Sequence, residues 1–375
     1  MLTEVMRLEY QKLEQEKFLF NFMKKDIQNT KVAVIILSYN GQVYLPDLFK
    51  SLKDQTLRAS EVVIVDNNST DDSVDYIKKN FPEATLIISK ENTGFARGNN
   101  IGIKEALKNS PDYIFMLNQD TVCDSKCLEI LAEKASSFDN LFACQPLVMC
   151  WPKKNLIQTS GNRMHFLGFG YSGDYKKELS DNVIEKLDRD PFYLSGAGMF
   201  IDVNVLNKIG LLDEDFFLYH EDTDLCLRAK FLGYKLKLVP EAIIYHKYTE
   251  AISKNRWFWS ERNRLLTLLK FYKLPTLILL FPFWFFMEIG ILLYSLIDGW
   301  FFTKVKSFFA SLSKIPKILK KRYKIQKTRR ISDRELIGEI SSRFDFAGFE
   351  HPLIKYIVNP IFGFCWKIVR IFIFW

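Results

Sequence analysis

The sequence lacks the features that mark secreted, disulfide-rich or cysteine-clustered metal proteins. Its six cysteines form no paired framework, which excludes a disulfide scaffold. Cys123 and Cys127 lie close enough for half a metal site, but no second pair follows, so we assign them a structural role. The first 30 residues are charged and contain no apolar core, so we expect no secretory signal and reduced thiols in a cytosolic compartment.

Acidic residues are missing from one long basic stretch. No Asp or Glu occurs in residues 303–330, whereas the first 250 residues are close to charge balance and the whole chain carries a net charge of +8. Such asymmetry indicates an anionic partner for the tail, either membrane lipid or nucleic acid. The tail contains no recognisable nucleic-acid-reading motif, so we predict anionic inner-leaflet lipid and no nucleic acid.

Four short apolar runs organise the chain after residue 30. They cover residues 31–37, 61–65, 86–89 and 112–117. The first run is continuously apolar and rich in β-branched residues, which is typical of a strand buried on both faces of a parallel sheet, and the second is also a buried strand. A polar loop and then a helix follow each run, with a period of about 25 to 30 residues. We therefore predict an α/β fold with an open, doubly wound sheet that binds ligands beyond the carboxyl ends of its strands.

The loops after these runs carry candidate ligand-binding residues. Asp66 directly follows its strand, where a carboxylate accepts hydrogen bonds from a base or ribose, and an ordinary turn is the alternative. Gly94 and Gly98 resemble a phosphate-binding loop, but their spacing matches neither a Walker loop nor the dinucleotide fingerprint. By themselves they do not identify a phosphate site. Asn118 and Asp120 are one residue apart, so an extended backbone projects both to the same side. Such hard oxygen ligands suit Mg or Mn that holds a diphosphate, and a plain turn is again the alternative.

Residues 216–246 concentrate acids and histidines in an otherwise core-like segment. Its apolar spacing predicts a helix that Gly233 ends, followed by two strands separated at Pro240. Asp222 lies where the helix starts and has two interpretations, a helix cap and a catalytic carboxylate. His246 is likewise either a core histidine or a metal ligand.

Taken together, the motifs resemble one family. The motifs are SYNG, VVIVDNNSTDDS, NTGFARGNN, LNQD, SGAGMFID and EDTDLCLRAKFLGYKLKLVPEAIIYH. They occur in the order seen in family 2 glycosyltransferases, and over roughly residues 31–330 the chain is most similar to the bacterial rhamnosyltransferase and galactofuranosyltransferase-like members. The resemblance implies a nucleotide-sugar-binding domain of the GT-A type and inversion at the anomeric carbon.

The resemblance also implies which residues contact substrate. They are Ser38, Tyr39, Asn40, Asp66, Asn68, Gly94, Phe95, Ala96, Asn99, Asn118, Gln119, Gly196, Ala197 and Glu221. The residues after the first two strands would line the nucleoside pocket, and those from the third loop would face the ribose and diphosphate. Gly196 and Ala197 would belong to the acceptor side.

For catalysis, Asp222 matches the general base of the family. Asp120, Asn118 and His246 stand at the positions implied to bind Mg or Mn. Asn118 replaces the acid often found first in the metal motif; its amide still coordinates through oxygen but lowers the charge of the site. One base and one cation suffice for direct displacement at a sugar carbon, because the base deprotonates the acceptor hydroxyl and the cation stabilises the leaving diphosphate.

The tail after residue 255 is rich in aromatic and basic residues. Residues 274–297 are strongly apolar and long enough to span a bilayer, with Glu288 as their only charge. Because Pro275, Pro282 and Glu288 argue against a span, we predict helices that lie in or dip into the inner leaflet, docked by the basic run 304–330. A homo-oligomer interface of Phe and Trp is the alternative.

The chain is therefore predicted to comprise a helical extension (1–30), a GT-A domain (31–255) and a membrane-associating helical region (256–375). We predict a metal-dependent inverting transferase at the cytoplasmic face of the cell membrane, which moves one sugar, rhamnose as the first candidate, from a nucleoside-diphosphate sugar to a lipid-linked saccharide in cell-surface glycan synthesis. Two alternatives are a processive polysaccharide synthase and a non-catalytic nucleotide-sugar-binding or scaffold subunit. Ser253 replaces the Gln of the synthase Gln-x-x-Arg-Trp motif, and a pure binder has no need of a base.

Overall fold

The structure is a computed structural model that describes residues 29–180, 190–247, 254–344 and 354–375 and the single positions 27, 183, 187 and 352. The extension predicted for residues 1–30 lies almost wholly outside the described residues. The strands are β1 (Val32–Ser38), β2 (Glu61–Asp66), β3 (Thr85–Ile88), β4 (Tyr113–Asn118), β5 (Thr121–Cys123), β6 (Leu141–Cys150), β7 (Ile157–Thr159), β8 (Asn162–Met164), β9 (Gly170–Ser172), β10 (Gly198–Asp202) and β11 (Lys235–His246). The α-helices are α1 (Leu45–Lys53), α2 (Ser73–Asn80), α3 (Gly94–Ala106), α4 (Cys127–Ser137), α5 (Val203–Ile209), α6 (Glu221–Phe231), α7 (Lys254–Phe271), α8 (Leu274–Ile297), α9 (Phe301–Thr328), α10 (Asp333–Gly338) and α11 (Asn359–Phe372).

Nine of the described strands form one mixed sheet in the order β3-β2-β1-β4-β10-β6-β11-β5, with β7 paired to β6. The first four strands in that order are parallel, as predicted, so the loops after them meet at one edge. Strand β10 is antiparallel to β4 and places Gly198 opposite Leu117. The loop that precedes β10 therefore reaches the same edge, which brings residues 196–197 to the predicted ligand side.

Alternate residues of β1 enter two different hydrophobic cores, because side chains of a strand point to opposite faces of the sheet. Val32, Val34 and Ile36 pack with α1 and α4 on one face. Ala33 and Ile35 pack with α3 on the other face. Burial on both faces explains why the predicted strands are continuous apolar runs rather than alternating ones.

One predicted boundary is wrong. Pro240 does not separate two strands, because β11 runs without interruption from Lys235 to His246. Its pairing with β6 shifts register between Val239 and Ile243. A proline has no backbone N–H to give to a ladder, and the shift takes Pro240 out of the regular pairing while the strand continues.

The helices after residue 254 share a core with the sheet. Phe271, Leu280, Ile337 and Trp366 belong to the same hydrophobic cluster as Ile35. Helices α7 and α9 pack along each other, and α9 also contacts α6. The division at residue 255 remains a prediction, and the described tail is joined to the catalytic sheet by a continuous core.

Several arguments made from the tail sequence need correction. Pro275 lies in the first turn of α8, where proline is tolerated, so it starts the helix. Glu288 accepts hydrogen bonds from Arg264 and Lys304, and so its charge is compensated inside the protein. Many cations of the basic run also have acidic partners in the fold; the pairs are Lys304–Glu261, Lys314–Asp215, Lys317–Asp215, Lys321–Asp213 and Arg329–Asp333. The missing acids are therefore supplied partly by the chain itself, which weakens the argument from charge alone for an anionic lipid.

Candidate active site

Two unpaired polar atoms mark the ends of β1 and β2. Parallel pairing puts Ser38 opposite Asp66, and both side chains are buried. The backbone N–H of Ser69 donates to Asp66 Oδ2 at 3.0 Å, which orients the carboxylate. Ser38 Oγ and Asp66 Oδ1 have no hydrogen-bond partner among the described residues. Buried polar atoms are normally paired, so these two fit a pocket that receives a hydrogen-bonding ligand.

The loops around this pair are tied to one another. Gln119 accepts from the Tyr39 backbone N–H and donates to the Tyr39 carbonyl, each at 3.0 Å. Asn40 Oδ1 accepts from the backbone N–H of Thr70 at 2.8 Å, so the loops after β1 and β2 are joined. Asn68 is exposed and has a φ of +68°, a conformation that asparagine tolerates better than most residues. The structure therefore brings together the residues predicted for the nucleoside pocket.

The start of α3 differs from the expected diphosphate site. The Asn92 side chain accepts from the Gly94 N–H, and the carbonyl of Phe217 accepts from the N–H groups of Phe95 (2.6 Å) and Ala96 (3.2 Å). An anion site at a helix start needs free N–H groups, and these three are already used. Ala96 and Asn99 are also buried. The diphosphate contacts expected of residues 94–99 thus remain a prediction that these hydrogen bonds do not support.

Asp120 and His246 meet where β11 pairs with β5. His246 Nε2 lies 3.0 Å from Asp120 Oδ1, and His246 Nδ1 lies 2.9 Å from Oε1 of Gln158. If Nδ1 donates to the Gln158 oxygen, Nε2 needs a second proton to bond to the carboxylate, and a cation can take the place of that proton. Gln158 was not among the predicted site residues, because it lies in a three-residue strand with no motif.

The donor atoms near Asp120 suit a divalent cation that shares its shell with a ligand. One carboxylate, one imidazole and the amide of Asn118, which precedes Asp120 by two residues and is separated from it by a turn rather than the predicted extended backbone, fit Mn and, less well, Mg. Burial alone would raise the pKa of Asp120, but the hydrogen bond from His246 and the charge of Lys247 bring that pKa below its usual value. The carboxylate is therefore ionised at neutral pH. Among the described residues, no group of three or more His, Cys, Asp or Glu side chains gathers as a metal site, so other ligands must complete any shell here.

Asp222 does not cap its helix. His220 is the N-cap of α6 and makes no side-chain capping bond. Asp222 Oδ1 accepts from the backbone N–H of Thr223 at 2.6 Å, and Oδ2 accepts from the N–H of Gly196 at 3.3 Å. Burial raises the pKa of Asp222 to about 6, although these bonds partly offset the rise. The capping interpretation is therefore wrong, and Asp222 is ionised at pH 7 with a pKa near that of a useful base.

Glu221 beside it is the more deeply buried carboxyl. Its Oε2 has no hydrogen-bond partner among the described residues. Burial raises its pKa well above the usual range, and the charge of Asp222 raises it further. Because two adjacent buried carboxyls resist joint ionisation, Glu221 is neutral while Asp222 carries the charge.

The loop before β10 links Asp222 to Asn118, one of the predicted metal ligands. Gly196 donates to Asp222, and the next residue, Ala197, accepts at its carbonyl from the Asn118 N–H at 3.1 Å. A side chain at Gly196 would lie about 3.1 Å from the ring of Phe95 and 3.9 Å from Asp222 Cβ. Gly196 and Ala197, the residues predicted for the acceptor side, therefore stand between Asp222 and Asn118. Phe95 packs against Gly196.

The loop before α6 holds an unusual backbone conformation. Phe217, Tyr219 and His220 have φ values of +61°, +65° and +70°. Such left-handed conformations cost about 1–3 kcal/mol for residues other than glycine and persist where the surroundings enforce them. Gly94, with a φ of +77°, leaves room for the Phe217 ring, because a Cβ there would lie 2.5 Å from it.

Comparison with family models identifies the chain. Residues 113–305, more than half of the chain, match the glycosyl transferase family group 2 model, and residues 33–189 match glycosyl transferase family 2. The chain belongs to glycosyltransferase family 2. The prediction that the chain is a glycosyltransferase is thereby confirmed.

Curated relatives of this transferase are distant. An uncharacterized glycosyltransferase, YwdF, of Bacillus subtilis is 26% identical over 223 residues, which cover 59% of this chain and 75% of the relative. An N-acetylglucosaminyl-diphospho-decaprenol L-rhamnosyltransferase of Mycobacterium tuberculosis is 24% identical over 233 residues, which cover 58% of this chain and 76% of the relative.

Solved structures show the same fold. The transferase superposes on GalNAc-T7, solved with UDP, GalNAc and Mn2+, with a TM-score of 0.53 at 16% identity. The match covers 65% of the transferase, but only 48% of that chain, or about half its length. This likeness confirms the predicted α/β fold of the GT-A type.

Proposed function

We propose that the transferase moves one sugar from a nucleoside-diphosphate sugar to a hydroxyl of a saccharide acceptor with inversion, and that Asp222 is the general base. The observation that carries the proposal is the environment of Asp222. Its carboxylate is partly buried, has a pKa of about 6 and is oriented by Gly196 next to the loop that leads to Asn118. An ionised carboxylate at this place is suited to accept a proton from a bound hydroxyl.

The reaction is a single displacement. The acceptor oxygen forms a bond to the anomeric carbon as the bond from that carbon to the diphosphate oxygen breaks, and the nucleoside diphosphate leaves with the electron pair. The acceptor proton passes to Asp222. Attack from the face opposite the leaving group inverts the anomeric centre, and one base suffices because no covalent intermediate forms.

We propose that Asp120, Asn118 and His246 hold Mg or Mn. A bound divalent cation would neutralise charge on the diphosphate as it leaves. Gln158 holds the imidazole of His246 in one orientation through Nδ1. The ionised Asp120, beside His246, supplies negative charge without which a cation binds weakly. The Mn2+ in the GalNAc-T7 structure supports the choice of Mn.

We propose rhamnose on a deoxythymidine diphosphate as the first donor and a polyprenyl-diphosphate-linked saccharide as the acceptor. The support is the name of the mycobacterial relative, which transfers L-rhamnose to N-acetylglucosaminyl-diphospho-decaprenol. Ser38 and Asp66 supply unpaired atoms for the nucleoside in this proposal. The uridine-diphosphate forms of galactofuranose, galactose and glucose rank behind this donor, and a donor screen distinguishes the four.

A lipid-linked acceptor calls for membrane docking, and the tail offers a surface for it. By length and composition, α8 is the one described helix able to cross a membrane, and 11% of its apolar window is buried. Its outer face, with the outer face of α11, exposes Ile278, Phe281, Phe285, Phe286, Ile289, Leu293, Leu296, Ile297, Ile361, Phe364, Ile368, Ile371 and Phe372. We name these residues the apolar face. Contiguous apolar surface of this kind marks a membrane or protein contact.

The contacts of α8 favour a helix that lies in the inner leaflet of the cell membrane, on its cytoplasmic side. Leu280, Trp284 and Met287 pack against the core shared with the sheet. Glu288 bonds to Arg264, whose guanidinium also donates to the Leu167 carbonyl inside the catalytic domain. A spanning α8 would draw these buried charges into hydrocarbon at high cost. Immersing only the apolar face leaves them in place.

The test is a donor screen with purified full-length enzyme, a polyprenyl-linked saccharide in vesicles, and Mg or Mn. Nucleoside diphosphate release is followed with deoxythymidine-diphosphate-rhamnose and the uridine-diphosphate forms of galactofuranose, galactose and glucose. Release from one donor, with the product anomer opposite to the donor's, supports the proposal. No release from any donor overturns it and favours a binding subunit.

Asp222→Asn should lower kcat by about 10³-fold, because general base catalysis contributes 10²–10⁴-fold. Donor affinity, measured by calorimetry, should stay within about twofold because Asp222 faces the acceptor proton. Asp75→Asn, at an exposed carboxylate on α2, is the matched control and should keep full activity. Full transfer by Asp222→Asn would remove Asp222 as the base.

A further inference from the structure

The loop 216–220 connects the carboxyl pair Glu221 and Asp222 to the start of α3. It leads directly into Glu221 and Asp222, and the Phe217 carbonyl accepts from the N–H groups of Phe95 and Ala96 in the first turn of α3. Three of its five residues hold left-handed backbone conformations. No glycine relieves these conformations, so contacts from outside the loop must maintain them.

Side chains of α7 supply such contacts, and Asn263 supplies three of them. Asn263 Nδ2 lies 2.8 Å from the Phe216 carbonyl oxygen, 2.9 Å from that of Leu218 and 2.7 Å from that of Tyr219. Asn263 is completely buried. Its Oδ1 accepts from Arg262 Nε at 2.9 Å, which sets the amide so that its NH2 group faces the loop. The Asn263 amide thus contacts three backbone carbonyls that would point in different directions in a regular backbone conformation.

Other groups of α7 hold the same region. Thr267 Oγ1 lies 3.2 Å from Nδ1 of His220, the residue that precedes the carboxyl pair Glu221 and Asp222. Lys270 forms ion pairs with Asp224, two residues after the base, and with Asp213. Side chains of α7 therefore contact residues both before and after Asp222 in the sequence. The Phe217 ring also stacks on Trp259 of α7 at 4.4 Å.

We infer that Asn263 is a positioning residue for the reaction, which sets the loop 216–220 and thereby aims the Asp222 carboxylate at the acceptor hydroxyl. Helix α7 is then part of the catalytic apparatus and not only a connection to the membrane-associating tail. Asn263 touches no substrate in this assignment, and its effect passes through the backbone. The inference rests on the proposed role of Asp222.

The test is Asn263→Asp in the full chain, with the donor that the screen identifies. Aspartate has nearly the same shape as asparagine but cannot donate to the three carbonyls when ionised. The expected result is a fall of about 100-fold in kcat, as for a catalytic group displaced by about 1 Å. The KM for the donor should change by less than about twofold, since the donor-side residues Ser38 and Asp66 lie on other elements.

The pH profile separates positioning from general damage. A released Asp222 is better hydrated, so the acid limb of kcat/KM should move to lower pH, by about one unit. Asn359→Asp is the matched control, because Asn359 is also buried and its amide donates to a carbonyl, that of Phe344 in the tail. The control should unfold more easily but keep kcat and the pH profile.

Thr267→Val provides a second test in case Asn263→Asp does not fold. It removes the hydroxyl contacts to His220 and to the Asn263 carbonyl one helical turn earlier, and it should lower kcat with an unchanged donor KM. If the wild-type enzyme transfers sugar and a folded Asn263→Asp variant keeps the wild-type kcat, the inference alone is overturned. If Asn263→Asp does not fold, an unchanged kcat in Thr267→Val overturns it instead. A parallel loss of donor affinity and kcat also overturns it, since that is a structural effect. No transfer by the wild type overturns the proposed function itself.

Discussion

At the scale of single residues, two adjacent carboxyls have different ionisation states. Glu221 and Asp222 are neighbours in sequence, yet Glu221 faces the interior while Asp222 reaches the Gly196 N–H and keeps an accessible edge. Both pKa values are raised by burial, that of Glu221 the more strongly. The pair therefore carries one ionised carboxylate at pH 7 rather than two repelling charges.

The pH dependence of transfer follows from that pair. With a pKa of about 6, Asp222 becomes protonated as the pH falls, and kcat/KM should then drop about tenfold per pH unit below pH 6. The measurement is a series of initial rates between pH 4.5 and 8 with the folded state checked by circular dichroism. An activity that stays flat down to pH 4.5 in folded enzyme would contradict the assignment of Asp222.

The metal proposal predicts a role for Gln158. Gln158→Leu removes the oxygen that holds His246 Nδ1, and loss of such an outer contact typically weakens metal binding by 10–100-fold. The concentration of Mn that gives half-maximal rate should rise by that factor. Gln55→Leu is the control, because Gln55 is also buried but bonds to Asp124 and Leu128. An unchanged Mn requirement in Gln158→Leu would refute the predicted orientation of His246.

At the scale of elements, α8 shows how context changes the meaning of a sequence. Glu288 and Pro275 argue against a membrane helix when the segment is read alone. In the fold, Pro275 starts the helix and Glu288 turns toward Arg264 and Lys304. The polar atoms thus lie on the protein side, and the other side of the helix is left apolar.

Vesicle binding tests this side of α8. Phe281→Glu combined with Phe285→Glu puts two charges on the apolar face and should weaken binding to anionic vesicles by at least about tenfold, because burial of one phenyl ring contributes roughly 2 kcal/mol. Transfer to a soluble acceptor fragment should persist. Lys78→Gln combined with Lys79→Gln, exposed on α2, makes the same change in net charge and should bind vesicles normally. Equal binding of both variants would indicate that the apolar face does not enter lipid.

At the scale of the whole molecule, aromatic contacts join the tail to the catalytic domain. The His165 imidazole stacks on Phe344 with centroids 3.9 Å apart, and Phe166 stacks on Trp366 at 4.5 Å. Burial lowers the pKa of His165 to about 3, and its Nδ1 accepts from the Leu167 N–H at 3.1 Å. This histidine is therefore neutral in the folded protein and serves packing.

His165 should make stability fall in mild acid. An unfolded histidine binds a proton below about pH 6.5, and the folded one does so only near pH 3, so the unfolded state gains protons first and stability decreases as the pH drops between these values. His165→Phe should lack this dependence on pH. As the pH falls from 6 to 4, its unfolding free energy should therefore rise relative to that of the wild type by about 1.4 kcal/mol per pH unit. Urea unfolding at several pH values measures it. Parallel pH profiles for the two proteins would show that folding does not lower the pKa of His165.

The sequence by itself determined the parts of this protein that depend on local order. Apolar runs with polar ends were sufficient for strands β1 to β4 and for the edge at which Asp66 and Asp120 lie, because parallel strands share a direction. The motif order was sufficient for the family. Each of these properties depends on neighbours along the chain.

The tertiary structure decided which distant groups meet. His246 lies beside Asp120 only because β11 pairs with β5, and Asn263 reaches the loop 216–220 only because α7 folds back on it. The Phe217 carbonyl occupies the start of α3, where the family resemblance implied contacts to the ribose and diphosphate. Hydrogen bonds and charge pairs between residues far apart in sequence leave no periodic signal along the chain, so Gln158, Asn263 and the partners of the basic run became visible only in the fold.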